Sequence, residues 1–226
     1  MMRAGTTALR NAGLLIAVLA GLAVSLLPAH SQTAPDRDAI INRLSQFDTA
    51  PDLDIAALKQ RVLDKSRSRA RNEPEPAKRP PIVPEILNLP TFTVDIHFDT
   101  DTPVVRPDSY QAVGRIADAL VDAQLLPYTF LIVGHSDSTG KREANAILSQ
   151  RRADSIRDVL VNTFKISSKR LQSLGVGEEQ FIDQAHPTSP ANLQIQILTI
   201  GKVAETEPST PATPPPAPAK KGGKKR

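Results

Sequence analysis

The sequence YTFLIVGHSDSTGKREANAILSQRRADSI, residues 128–156, contains an apolar stretch followed by a polar turn and a long amphipathic segment. The first eight residues are apolar on both faces and predict a central β-strand. From about residue 141 to 164 the apolar residues recur at helical spacing. The chain therefore passes from a buried strand straight into a long helix, which places the polar turn at the helix N-terminus.

The flanking sequence extends this pattern into one domain over residues 92–201. Before the quoted stretch, FTVDIHF (92–98) predicts a strand and PDSYQAVGRIADALVDAQLL (107–126) predicts a helix. After it, RLQSLGVGEE (170–179) predicts a short strand and LQIQILTI (193–200) predicts a further strand. The order β-α-β-α-β-β predicts an α/β domain with a single sheet covered by helices.

The N-terminus has the features of a secretory signal peptide, which we predict over residues 1–31. Arg3 and Arg10 precede the apolar run LLIAVLAGLAVSLL (14–27), and small residues stand at Ala29 and Ser31, where cleavage is expected. An uncleaved membrane anchor is the alternative, because residues 12–29 carry no charge.

Three further segments flank the domain. Residues 32–72 contain two helical patterns, which predict either a small hairpin that docks on something or a partly ordered stalk. Residues 73–91 hold six prolines and predict an extended linker. Residues 202–226, rich in proline and lysine, predict a disordered tail.

Composition excludes several classes of function. The chain has no cysteine, which rules out thiolate metal sites, cysteine nucleophiles and lipid attachment at an N-terminal cysteine. The net charge is +4, but residues 92–200 contain 10 Lys and Arg against 13 Asp and Glu, a balance of −3. The basic excess therefore lies outside the domain, and we do not expect nucleic-acid binding.

A helical wheel separates two adjacent arginines in the long helix. At about 100° per residue, Arg152 falls in the middle of the apolar arc and Arg151 faces away. An inward arginine needs an anion, and Asp137, at the end of the preceding strand, is the nearest candidate. The residues alone leave two alternatives: a structural salt bridge, or a pair that holds a zwitterionic ligand.

Catalytic and metal-binding interpretations have weaker support. His135 and nearby serines are available, but no serine stands in a G-x-S-x-G turn. A metal site formed by His97, His135 and Asp137 would require their strands to pair. We therefore predict no enzyme, no cofactor and no metal site.

The segment GHSDSTGKREANAILSQRRADSI (134–156) resembles the signature of OmpA-like peptidoglycan-binding domains, G-H-T-D-x-x-G followed by N-x-x-L-S-x-x-R-A. The resemblance extends to IHFDTDTPVVRPDS (96–109) and RLQSLGVGEEQFI (170–182). It implies an α+β sandwich with one mixed sheet covered by helices. It also implies non-covalent binding of the diaminopimelate in the peptidoglycan stem peptide, with Asp137 and Arg152 as the binding pair. Asp101 stands where the family usually has asparagine, and Asn145 is the fourth candidate ligand-binding residue.

This resemblance implies a protein of the periplasm, associated with the cell wall or the outer membrane. The alternative is a scaffold or stator-like protein, in which the N-terminal helices or an uncleaved membrane helix engage a partner while the domain tethers it to the wall. Peptidoglycan is the expected partner. An envelope protein partner and a homodimer remain open.

Overall fold

The computed structural model describes residues 36–68 and 74–203. The predicted signal peptide and almost all of the predicted tail lie outside these residues. Within the described ranges, no helix combines the length and the apolar character needed to span a membrane. The helices are α1 (Arg37–Leu44), α2 (Ile55–Arg67), α3 (Tyr110–Leu120) and α4 (Arg142–Asn162), and the strands are β1 (Thr91–Val94), β2 (Tyr128–His135), β3 (Leu171–Gly177) and β4 (Ile195–Lys202).

The four strands form one mixed sheet in the order β1-β4-β2-β3. β2 and β3 are parallel, and α4 makes the crossover between them. β4 is antiparallel to both of its neighbours. The predicted order of elements from residue 92 onward and the predicted sandwich fold are confirmed.

The first strand is shorter than its alternating pattern predicts. Regular pairing of β1 with β4 stops at Val94. The backbone N–H of His97 then donates to the Ser109 hydroxyl at 2.8 Å, and the carbonyl of His97 accepts from the Arg106 N–H at 2.9 Å. The chain therefore leaves the sheet because a local loop satisfies its backbone groups.

One face of the sheet packs against α1, α3 and α4. The β2 side chains on this face are Phe130 and Ile132, and both are fully buried. α1 adds Ile40, Ile41 and Leu44 to the same cluster. Its last residue also accepts a hydrogen bond of 2.6 Å from the hydroxyl of Thr199 in β4.

The other face is covered by α2 and by residues 74–90, which we call the proline-rich segment. The alternate β2 side chains, Leu131 and Val133, belong to this second cluster. The side chains that cover them come from α2 and the proline-rich segment: Ile55, Leu58, Val62, Val83 and Ile86. The sequence of residues 32–72 was compatible with either a docked helical hairpin or a partly ordered stalk. In the structure, both helices of this segment, α1 and α2, dock on the domain itself.

The proline-rich segment differs from the extended spacer that its composition predicts. It forms two short 3₁₀ turns, Pro76–Lys78 and Pro84–Ile86, and Val83 is completely buried. The backbone N–H of Val83 donates to the side chain of Gln180 at 3.2 Å. Proline fixes φ without preventing burial, so two apolar residues between the prolines are sufficient to attach the segment to the sheet.

Candidate functional site

The close approach of α4 to the sheet positions the turn between β2 and α4. A Cβ atom on Gly134 of β2 would overlap the backbone carbonyl of Ser149, and one on Gly175 of β3 would overlap the backbone of Gln150. Glycine at these two positions therefore lets the helix backbone lie directly on the strands. As a result, the turn of residues 136–141 is held between two rigid elements.

Asp137 organises this turn with one of its two carboxylate oxygens. Its Oδ1 accepts hydrogen bonds from the backbone N–H of Thr139 at 3.0 Å and from the Thr139 hydroxyl at 2.6 Å. Its Oδ2 accepts none from the described residues. One carboxylate oxygen of Asp137 thus remains free to accept from a ligand.

Asn145, predicted as a ligand-binding residue, uses its amide nitrogen to hold the turn. This nitrogen donates to the carbonyl oxygen of Thr139 at 2.8 Å and lies 3.3 Å from that of Asp137. It also donates to Oε2 of Glu178 at 2.8 Å. The amide nitrogen of Asn145 is therefore used in hydrogen bonds within the protein. The main contribution of Asn145 is to hold the turn that positions Asp137.

Arg152 is buried, but it lies at the edge of the buried arc of α4 and not at its middle, where the helical wheel placed it. The buried residues of this helix span about 120°, with Arg152 at one end: Ala146, Ser149, Arg152, Ala153, Ile156 and Leu160. The helical wheel located the inward face from the apolar residues. In the structure, small residues occupy the part of α4 that lies closest to the sheet. Arg151 is exposed, as predicted.

The guanidinium of Arg152 is only partly satisfied by the protein. Its Nε donates to the carbonyl oxygen of Thr102 at 3.2 Å, and its planar group lies 5.0 Å from the centre of the Phe98 ring. Neither Nη1 nor Nη2 donates to a described residue. Burial lowers the pKa of Arg152 below its usual range, although the charges of Asp101 and Asp137 act in the opposite direction.

Asp101 reaches the same region from the loop that follows β1. Its φ is +56°, in the left-handed region that Asp and Asn adopt more readily than other side chains with a Cβ atom. The neighbouring Thr102 N–H donates to the carbonyl oxygen of Asp99, which closes the turn. The substitution of Asp for the family's Asn therefore suits the backbone and adds a negative charge.

These groups line one open cavity of about 620 Å³. The four candidate residues Asp101, Asp137, Asn145 and Arg152 all contribute to its wall. Ser136 also lies in this wall, and its buried hydroxyl has no hydrogen-bond partner among the described residues. The remaining wall residues are Phe98, Thr100, Thr139, Gly140, Lys141, Ala144, Ile147, Leu148, Arg151 and Leu193.

His135 does not take part in this cavity. Its Nδ1 lies 2.8 Å from the carbonyl oxygen of Gln180, and its Nε2 lies 3.0 Å from the side chain of Gln196. Complete burial lowers the pKa of His135, so the ring is neutral at pH 7 and donates through Nδ1. His97 instead lies near Asp95 and Asp108, so the two histidines that a metal site would need belong to separate networks.

A buried charge network next to the turn was not predicted from the sequence. Glu178 and Glu179 follow β3, and both are less than 10% exposed. Glu179 pairs bidentately with Arg142 at the start of α4, and Glu178 pairs with Arg79 of the proline-rich segment at 3.1 Å. The G-x-G-E pattern indicated a turn at this point, but no local pattern indicates a partner 99 residues away.

The fold and the cavity define a class of protein, namely an α+β sandwich with oppositely charged side chains in an open cavity at the end of its central strand. Residues 97–193 match the model of the OmpA family. This part of the chain is therefore an OmpA family domain, and the resemblance seen in the sequence is confirmed.

Three similar proteins illustrate the relationship. Outer membrane porin F from Pseudomonas aeruginosa is 30% identical over 162 residues, which cover 72% of this chain and 43% of that protein. The peptidoglycan-associated lipoprotein from Mesorhizobium japonicum is 38% identical over 93 residues, which cover 39% of this chain and 54% of that protein. The solved OmpA-like domain of FopA1 from Francisella tularensis is 18% identical, with a TM-score of 0.42, over 50% of this chain and 75% of that one.

This chain spans about half the length, or less, of these curated relatives. By their names, the first of these relatives is a porin of the outer membrane and the second is a lipoprotein associated with peptidoglycan. These relatives agree with the predicted location in the cell envelope, and the absence of enzymatic activity stays a prediction for this chain.

Proposed function

We propose that the domain binds peptidoglycan non-covalently, through the free head group of diaminopimelate in the stem peptide. Asp137 accepts the ammonium group of this head and Arg152 binds its carboxylate. Asp101 adds a second carboxylate near the ammonium, and Asn145 holds the turn that carries Asp137. Binding of this kind attaches the protein to the cell wall in the periplasm. One named relative, the peptidoglycan-associated lipoprotein, is described as associated with the same polymer.

The observation that carries this proposal is the incomplete pairing of Arg152. The residue is 8% exposed, and it forms no ion pair with any carboxylate of the described residues. A buried guanidinium without an anion is costly. A ligand carboxylate within the cavity would satisfy the two Nη groups with the bidentate geometry that arginine favours.

The same cavity wall also carries carboxylates that can bind the ammonium group of the ligand. Asp101 and the free Oδ2 of Asp137 provide two sites that accept hydrogen bonds from an ammonium group. A head group that carries both charges on one carbon matches this wall better than an anion or a cation alone.

A comparison of two stem peptides tests the proposal. Lysine at the third position keeps the ammonium but lacks the second carboxylate, so Arg152 would gain no bidentate partner. We expect titration calorimetry with the full chain to show at least about 30-fold weaker binding of the lysine peptide, because lost charge-assisted hydrogen bonds cost about 2 kcal/mol or more.

Amidation of the diaminopimelate carboxylate serves as the matched ligand control, because it removes the charge and retains the shape. We expect this peptide to bind as weakly as the lysine peptide. Equal affinity for all three peptides would show that Arg152 does not bind the carboxylate, and the proposal would then be wrong.

A further inference from the structure

The charge network beside the cavity connects the proline-rich segment to the turn that carries Asp137. Arg79 Nη1 donates to Glu178 Oε1 at 3.1 Å. The other oxygen of the same carboxylate, Oε2, accepts from the amide nitrogen of Asn145 at 2.8 Å. Asn145 in turn holds the carbonyl oxygen of Thr139. Three side chains therefore join a segment outside the OmpA family match to the candidate ligand site.

Burial makes the loss of one partner of this connection more costly than the loss of one partner of a surface ion pair. The side chains of Arg79 and Glu178 are 14% and 7% exposed. Both oxygens of Glu178 are used, one by Arg79 and one by Asn145. Removal of Arg79 would leave a desolvated carboxylate with one neutral donor, and the carboxylate would have to move to find another.

The proline-rich segment itself is well fixed at this point. The Nε of Arg79 donates to the carbonyl oxygen of Pro74 at 3.2 Å, within the segment. The side chain of Gln184 donates to the carbonyl oxygen of Ala77 at 2.9 Å. The guanidinium is thus presented to Glu178 by a segment that is attached to the loop after β3.

We infer that Arg79 is a positioning residue for the ligand site. It fixes Glu178, and through Glu178 and Asn145 it sets the place of the Asp137 carboxylate that receives the ammonium group of the ligand. This inference rests on the function proposed above. It adds a residue outside residues 97–193 to the determinants of binding. Arg152 is held by Thr102 and Phe98 instead, so the effect of Arg79 is confined to the ammonium side.

The experiment compares Arg79→Ala, Arg79→Lys and a matched control, Arg61→Ala, in the full chain. Arg61 also ties α2 to the proline-rich segment, through Glu85 at 2.9 Å, but it has no contact with Glu178. Two ligands are used: the diaminopimelate stem peptide and an analogue in which the head-group amine is replaced by hydrogen. The second ligand retains the carboxylate and lacks the group that Asp137 would bind.

We expect Arg79→Ala to bind the diaminopimelate peptide roughly 3- to 10-fold more weakly, as residues coupled to a site at a distance commonly do. Binding of the analogue should be unchanged, because Arg152 keeps its position. Arg79→Lys, which retains the charge, should recover part of the loss, and Arg61→Ala should bind both ligands like the parent chain. Equal loss for both ligands, or the same loss in Arg61→Ala, would overturn the inference, since either result indicates general loosening.

A measurement without ligand separates this inference from the proposed function. In NMR spectra of the free protein, Arg79→Ala should shift the side-chain amide of Asn145 and the backbone amide of Thr139, and Arg61→Ala should leave both in place. If the parent chain fails to bind the diaminopimelate peptide, the proposed function fails, and the amide shifts still report the linkage. If the parent chain binds and Arg79→Ala matches it in affinity, only the positioning role is wrong.

Discussion

Arg152 and Asp137 line the same cavity but do not form an ion pair with each other. Asp137 directs one oxygen to Thr139, and Arg152 directs its Nε to the carbonyl oxygen of Thr102. Their remaining polar groups have no partner among the described residues. A structural salt bridge was one of two alternatives for this pair, and no such bridge forms among the described residues. The other alternative, in which both charges bind a ligand, is the function that we propose.

The first prediction follows from this separation. Asp137→Ala and Arg152→Ala should each abolish co-sedimentation with purified peptidoglycan, because the loss of one partner of a desolvated charge contact costs about 2–5 kcal/mol. Arg151→Ala is the control and should still co-sediment, because Arg151 lies in the same cavity wall but is exposed, so that it needs no ligand anion to offset burial. Similar amounts of all three variants in the pellet would remove the site assignment.

Truncation at the N-terminus should destabilise the domain. A variant that begins at residue 74 lacks α1 and α2, and therefore the side chains that cover part of both sheet faces. The loss of Ile55, Leu58 and Val62 alone should lower the free energy of unfolding by at least about 3 kcal/mol, measured by urea unfolding. A variant that lacks residues 204–226 is the control, because that sequence is rich in proline and lysine and has little apolar surface to bury. A midpoint unchanged by the first truncation would contradict the role of these helices in the core.

Two glycine substitutions should have opposite effects on stability. Gly134→Ala places a methyl group against the backbone of Ser149, and we expect a loss of several kcal/mol or a failure to fold. Gly114 lies in α3 with open space around it, and Gly114→Ala should raise the free energy of unfolding by about 0.5–1 kcal/mol. Thermal and urea unfolding of both variants measure this difference, and destabilisation by Gly114→Ala would argue against the packing described for α3.

The buried histidine predicts how stability depends on pH. Burial lowers the pKa of His135 in the folded protein, whereas in the unfolded chain it should titrate near about 6.5. The unfolded state therefore takes up a proton first as the pH falls. This contribution is complete above about pH 6.5 and decreases below it, by at most about 1.4 kcal/mol per pH unit.

Urea unfolding at pH 7.5 and pH 5.5 measures this contribution. His135→Gln should lose that part of the pH dependence, since glutamine does not titrate. His186→Gln should retain it, because the His186 side chain is 74% exposed. An identical pH dependence in the parent chain and in His135→Gln would assign the effect to other groups.

The central part of the fold could be predicted because its determinants are local. The apolar run of β2, the helical spacing of α4 and the glycine turn between them each depend on residues a few positions apart. The choice between Arg151 and Arg152 was likewise available from the helical period. The helical wheel was less accurate about the centre of the buried arc of α4. Small side chains such as Ala146 and Ala153 form the contact of this helix with the sheet, and small side chains contribute little to a hydrophobic pattern.

By itself, the sequence determined the order of strands and helices from residue 92 onward, the turn that carries Asp137 and the inward direction of Arg152. Periodicity and turn chemistry act within one element, so they are readable from neighbouring residues. Only the tertiary structure decided that α2 and the proline-rich segment cover the second face of the sheet, and that Arg79 meets Glu178. Those contacts join residues far apart in the sequence, 99 positions in the case of Arg79 and Glu178. They depend on which surfaces remain uncovered after the sheet has formed, and no local pattern contains that information.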